Sequence, residues 1–200
     1  NGPTKAANTI ALAHGAGGAM DSPFMTTMAV GLAKRGHRVA RFEFPYMRAS
    51  RIEGKRRVPD SAAVLIKHWQ EVITSLKTKG PLIIGGKSLG GRIATMIADE
   101  ARVAGLVCLG YPFHPPGRPD KPRTKHLKTL AIPTLIVQGE RDTFGDQNEV
   151  DNYNLSNSIH VVWLKDGDHS FKPRKKSGCT EIENLSKAVH LISDFVRQLT

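Results

Sequence analysis

The chain is predicted to be α/β, a three-layer α/β/α sandwich around a six-stranded sheet that is mostly or wholly parallel. Two observations carry this expectation. Short apolar runs of strand length alternate with segments of helical period along the whole chain. The runs also open into glycine-rich or basic loops, where ligands of such sheets collect, at the carboxyl ends of the strands. A length of 200 residues suits one domain spanning 1–200. A chain of this size can bury roughly 70% of its unfolded surface in one core, and no linker, repeat or low-complexity tract divides it.

Each element can be justified in turn. Thr9 to Ala13 is a first strand that ends at His14 and enters the turn HGAGGAMDS. Ser22 caps a helix with Pro23 at its first position, Phe24, Met28 and Leu32 share one face, and Gly36 stops it. His37 to Phe44 makes a second strand, followed by a long basic loop from Pro45 to Pro59. A helix then starts at Asp60 or Ser61 and runs towards Gly80, with Val64, Leu65, His68, Trp69, Val72, Ile73 and Leu76 on a broad packing face. His68 on that face reads as a satisfied core histidine. The third strand leads through Gly85 and Gly86 to a helix from Leu89 to Ala98. Val103 to Leu109 is the fourth strand, with a proline-rich basic loop from Tyr111 to Lys125 and a short helix from Lys125 to Leu130 behind it. Pro133 to Val137 is the fifth strand, opening into QGERDTFGD and a polar helix through Val150. Ile159 to Leu164 is the last strand, KDGDHSFKPRKKSG the last loop, and Thr180 with Glu183 forms a capping box for a final helix with Ile182, Leu185, Val189, Ile192, Phe195, Val196 and Leu199 inward.

The stretch PLIIGGKSLGGR holds the principal motif. Gly86, Ser88 and Gly90 spell G-x-S-x-G, the strained strand-to-helix turn that exposes a serine hydroxyl as a nucleophile. The same letters contain Gly-Lys-Ser, but a phosphate-binding loop needs glycine where Pro81 stands and a loop where Leu82, Ile83 and Ile84 form a strand. A glycine-rich junction without chemistry is the remaining alternative, and the residues that follow decide against it. Ser88 follows the third strand, Asp142 the fifth and His169 the last, the chain order this elbow uses. A serine hydroxyl is a weak nucleophile at neutral pH, so a histidine must take its proton and a carboxylate must orient that histidine. Asp146 is the rival to Asp142, but it falls where a helix begins and an acidic cap is ordinary. Asp168 is adjacent to His169 and its side chain is expected to diverge. A tetrahedral intermediate also needs donors, which the backbone N–H of Leu89 and one from the HGAGG turn, assigned to Ala16, would supply. His14, Lys87 and His114 are the further candidates for substrate contact.

Other chemistries fit poorly. DGDHSF fails as a calcium loop because Phe171 and Ser177 stand where glycine and an acid are required, and no zinc spacing is present, so no metal or cofactor is expected. Two cysteines, Cys108 and Cys179, are too few for a disulfide framework and point to a reducing compartment. No apolar stretch reaches the about 20 residues of a membrane helix and no basic-then-apolar leader opens the sequence, so a soluble, cytoplasmic protein is expected. The formal net charge of +11 favours anionic partners. Basic residues cluster after strands: Arg48, Arg51, Lys55, Arg56 and Arg57; Arg118, Lys121, Arg123 and Lys125; Lys172, Arg174, Lys175 and Lys176. With few aromatics and no recognition module, nucleic acid is not the expected partner. A rim for a negatively charged substrate is the sharper reading, against a bland one of solvated loops.

HGAGG, GGKSLGGR, YPFHPPG, QGERDTFG and DGDHSF, in this order, resemble the α/β-hydrolase superfamily, in particular its small branch of dienelactone-hydrolase-like and testis-expressed-protein-thirty-like domains. The resemblance runs from Thr9 to Leu199. It implies Ser88 as nucleophile, Asp142 as acid and His169 as base, in a minimal version of the fold that lacks the first two strands and a cap domain. The expected activity is that of a serine esterase or thioesterase acting without a cofactor on a small-molecule, anionic acyl substrate. The alternative from another class is a catalytically silent scaffold for protein interaction.

Overall fold

The structure, a computed structural model, describes residues 1–199. Six strands, β1 (Thr9–Ala13), β2 (Arg38–Phe42), β3 (Leu82–Lys87), β4 (Gly105–Leu109), β5 (Thr134–Gly139) and β6 (Ile159–Leu164), form one sheet in the order β2-β1-β3-β4-β5-β6. Every neighbouring pair is parallel. The winding reverses between β1 and β3, which places a crevice at the carboxyl ends of these two strands. Both strands run into glycine-rich turns there.

Helices cover both faces, because alternate strand residues point to opposite sides. Ile10, Leu12 and Ile83 pack with Met25, Met28 and Leu32 of α1 (Pro23–Lys34) and with Val189 and Ile192 of the final helix. Ala11, Ala13 and Ile84 face the other layer, where Leu65 and Trp69 of α3 (Ala62–Ser75) and Ile93 of α4 (Leu89–Thr95) lie. α5 is a single turn, Gln147–Val150, and α6 is Glu181–Gln198 with the capping box of Thr180 and Glu183 in place.

Several sequence expectations need correction. The stretch expected to be a loop after β2 begins with a helix, α2 (Pro45–Glu53), ended by Gly54 in the left-handed conformation. Proline at the first helical position and glycine just past the end are the usual punctuation of a helix, and here they outweigh the arginine-rich composition. α3 stops at Ser75 rather than near Gly80, and α4 at Thr95 rather than at Ala98. Val64 and Ile182, both expected inward, are exposed, at 44% and 79%. Asn184 and Ser193 are buried on α6 instead. Asn184 Nδ2 donates to the carbonyls of Lys165 and Phe171, tying the loop after β6 to the helix beneath it.

Candidate active site

Ser88 stands at the apex of the turn from β3 to α4 with φ 49° and ψ −112°, a backbone conformation that a residue with a side chain adopts only under strain. The turn survives because its neighbours are small. A Cβ on Gly86 would come within 2.1 Å of the Ala13 carbonyl oxygen, and one on Gly90 within 2.6 Å of the same atom. The elbow is therefore pressed against the end of β1, which is where the HGAGG turn begins.

His169 arrives from the loop after β6. Its Nδ1 lies 2.7 Å from Asp142 Oδ2. The carboxylate is buried and accepts two further hydrogen bonds, from Gln138 Nε2 at 2.9 Å and from the Phe144 N–H at 2.9 Å. With Gln138 and Phe144 donating to it, Asp142 is held as an acceptor, so His169 carries hydrogen on the Nδ1 that faces it. Phe144 lies against the imidazole, ring centroids 4.2 Å apart. Ser88 and His169 line one cavity of about 340 Å³ with Lys87, Phe24 and the Gly15–Gly18 segment. Among the described residues no hydrogen bond joins Ser88 to His169.

The rival acids are engaged elsewhere. Asp146 caps α5, its Oδ1 accepting from the Glu149 N–H at 3.0 Å. Asp168 accepts from the N–H groups of Ser170 and Lys172 and shapes the turn beside His169.

Two of the three expected substrate contacts are not placed to touch substrate. His14 is fully buried; its Nδ1 lies 2.7 Å from the Gly15 carbonyl and its Nε2 accepts the Phe44 N–H at 3.1 Å. A carbonyl can only accept and an N–H can only donate, so His14 is the neutral tautomer with hydrogen on Nδ1. Burial lowers its pKa, in keeping with that assignment. His114 is also buried, between the Pro115 carbonyl and the Glu149 carboxylate. Lys87 does line the cavity, but its ammonium donates to the His169 carbonyl at 2.6 Å and lies 5.5 Å from the Phe24 ring centroid. Burial brings its pKa down to about 8, against the pull of Asp142 and Asp168. Lys87 anchors the histidine loop from below and is not part of a solvent-facing rim.

Tyr46 was not singled out from the sequence because it lies on the helix read as a loop. Its buried hydroxyl donates to the carbonyls of Gly15 and Ala16, at 3.3 and 3.4 Å. Together with His14 it fixes the peptide planes of the glycine-rich turn. The peptide bonds of the described residues are all trans, so a carbonyl turned towards His14 and Tyr46 directs the N–H of the next residue the opposite way. For Gly15 that next residue is Ala16, which lines the cavity beside Ser88. Gln138, buried in β5, was missed for a different reason. It is one polar residue in an apolar run, and its amide also bridges Tyr111 and Gly145.

The basic loops are only partly free. Arg51 is paired with Asp21 and Glu43, Arg57 with Glu53, Arg118 with Asp120 and Arg174 with Asp166. Lys121, Lys125, Lys172, Lys175 and Lys176 remain exposed.

A family model described as an alpha/beta hydrolase domain matches residues 6–197. The chain belongs to this alpha/beta hydrolase family. Solved structures similar to this hydrolase include an alpha-beta serine hydrolase homologue from Coxiella burnetii, 20% identical with a TM-score of 0.73 over 100% of this chain and 89% of that one. A dienelactone hydrolase from Anabaena variabilis is 21% identical with a TM-score of 0.73, covering 98% and 88%. An esterase domain from a Rhodothermus marinus protein is 15% identical with a TM-score of 0.69, covering 98% and 88%. At these identities the likeness establishes the shared fold. Among the described residues of the hydrolase, no helix is long and apolar enough to cross a membrane.

Proposed function

We propose that the protein is a serine hydrolase that cleaves an ester or thioester through an acyl-enzyme on Ser88. The observation that carries this reading is the Asp142–His169 hydrogen bond of 2.7 Å, whose imidazole shares a cavity with a serine on a strained elbow. In this reading Ser88 Oγ attacks the carbonyl carbon while His169 Nε2 takes the hydroxyl proton, and Asp142 steadies the resulting imidazolium. The oxyanion meets the N–H of Leu89, which as first residue of α4 has no partner within the helix, and the N–H of Ala16. His169 then gives its proton to the departing alcohol or thiol. Water, deprotonated by His169, attacks the acyl-enzyme, releasing the acid and restoring Ser88.

Two features support an anionic substrate: the exposed lysines after β4 and β6 and the +11 balance of the chain. The reading is tested by kcat/KM over a panel of acyl esters and thioesters of varied length and charge, with Ser88→Ala as control. Turnover in the wild type that falls by roughly a thousandfold or more in Ser88→Ala is the expected result. Equal turnover in both proteins contradicts it.

A further inference from the structure

Ser88 stands between two cavities. The one that holds His169 is described above. The other, of about 270 Å³, is lined by Ser88, Leu89, Arg92 and Arg123 together with apolar walls that include Pro112 and Phe144. Arg92 lies one helical turn beyond Ser88 on α4, its N–H donating to the Ser88 carbonyl at 2.9 Å. Arg123 comes from the loop after β4 and is half-buried.

The second cavity brings two arginines together with no acid in its lining; other arginines without a carboxylate partner among the described residues, such as Arg48 and Arg56, stand exposed on the surface. Arg51, Arg57, Arg118 and Arg174 all have carboxylate partners. Among the described residues Arg92 and Arg123 have none, and Arg92 Nε is buried without any hydrogen-bond partner. Arg123 has its pKa lowered, first by burial and then by repulsion from Arg92. Buried N–H groups in folded proteins are almost always paired, and charges withdrawn from water are normally matched by opposite ones. Two guanidiniums that repel each other line one cavity beside a nucleophile, and an anion placed between them would relieve that repulsion. Guanidinium groups match planar carboxylates with paired N–H donors.

The reaction geometry says which part of a substrate carries that anion. His169 donates its proton to the leaving group, so the leaving group departs through the cavity that His169 lines. The acyl group stays on Ser88 and extends to the other side, towards Arg92 and Arg123. Residues one turn apart on a helix have Cβ atoms about 5–6 Å apart, a gap that a short carbon chain spans.

We propose that the Arg92–Arg123 cavity is the acyl subsite and takes acyl groups that end in a second carboxylate. The substrate class is then the monoesters or monothioesters of short dicarboxylic acids. Ser88 would displace the alcohol or thiol, protonated by His169, and hold a carboxylate-tailed acyl group; water would then release the free dicarboxylate and return the serine hydroxyl. The direction of the acyl chain rests on the serine-hydrolase reading, whereas the anion site itself does not.

The test compares para-nitrophenyl valerate with mono-para-nitrophenyl glutarate, esters of equal acyl length that differ in the terminal carboxylate. Wild type is expected to prefer the glutarate ester in kcat/KM by on the order of tenfold or more, as charge-assisted pairing implies. Arg123→Gln and Arg92→Gln should each shrink that ratio by roughly tenfold. Arg123→Gln, on a loop, keeps the test alive if the Arg92 variant does not fold. A second arm measures binding of free glutarate to Ser88→Ala by calorimetry, with weaker binding when Arg123→Gln is added. A ratio near one together with no glutarate binding overturns the subsite and leaves the hydrolase reading standing. Glutarate binding lost on Arg123→Gln, with neither ester turned over, retains the anion site and overturns its role in acyl selection along with the hydrolase reading.

Discussion

The two sides of Ser88 are finished to different degrees. On the His169 side the polar groups are already partnered: Asp142 takes three hydrogen bonds, and the His169 carbonyl is held by Lys87. On the Arg92 side, among the described residues, Arg92 and Arg123 have no carboxylate partner and the buried Arg92 Nε has no acceptor. In the proposed reading the difference is that between machinery and receptor. Groups that must be in place before a reaction are satisfied within the chain, as electrostatic preorganisation requires. Groups that recognise a ligand keep their donors for it.

Breaking the finished side should have the larger consequences. Asp142→Asn keeps the shape of the carboxylate but allows the imidazole to take the wrong tautomer, and kcat is expected to fall by about three to four orders of magnitude. Steady-state kinetics with a small ester, alongside circular dichroism to confirm folding, checks this; a loss of only a few-fold would remove Asp142 from the site. Tyr46→Phe is next. It removes the hydroxyl that holds the carbonyls of Gly15 and Ala16, while His14 still holds Gly15, so a loss of roughly tenfold in kcat is expected with KM little changed. A change in KM alone would mean that Tyr46 acts on substrate binding and not on the turn.

Lys87→Met produces the smallest kinetic change and the most informative stability change. The wild-type pKa is about 8 against an ordinary 10.5, so the folded chain binds fewer protons than the unfolded chain between those values. Stability contributed at this position therefore rises with pH from 8 to 10.5, and the full cost of burying the charge, up to about 3 kcal/mol, is present below pH 8. The methionine variant should be more stable than wild type at pH 7 and lose that advantage as pH rises. Its kcat should fall several-fold because the His169 carbonyl loses its anchor. Urea unfolding at pH 7 and at pH 9.5 reads the first effect. A variant less stable than wild type at pH 7 would show that the hydrogen bond outweighs the burial cost.

The placement of Ser88, Asp142 and His169 at one edge of the sheet was legible in the sequence because it depends on local rules. A glycine-flanked serine between strand and helix, an acid after β5 and a histidine after β6 each follow from an element end, and a parallel sheet gathers such ends at one edge. What was missed depends on neighbours remote in sequence. Tyr46 reaches Gly15 only because Pro45 and Gly54 frame a helix that its charges disguised. Gln138 serves Asp142 from within an apolar strand, where its polarity was the available clue. Ile182 and Asn184 show the reverse error. Periodicity sent the isoleucine inward, whereas the amide is the residue whose hydrogen bonds hold the loop beneath His169. Arg92 was not singled out from the sequence, because its place in the wall of a cavity beside Ser88 is a property of the assembled fold.

The central claim, that Ser88 is an activated nucleophile, is tested most directly by intact-mass measurement after treatment with a fluorophosphonate. The account predicts one adduct per wild-type chain, mapped to Ser88, and none on Ser88→Ala. A folded wild type that takes up no label, or an alanine variant labelled to the same extent, would contradict it.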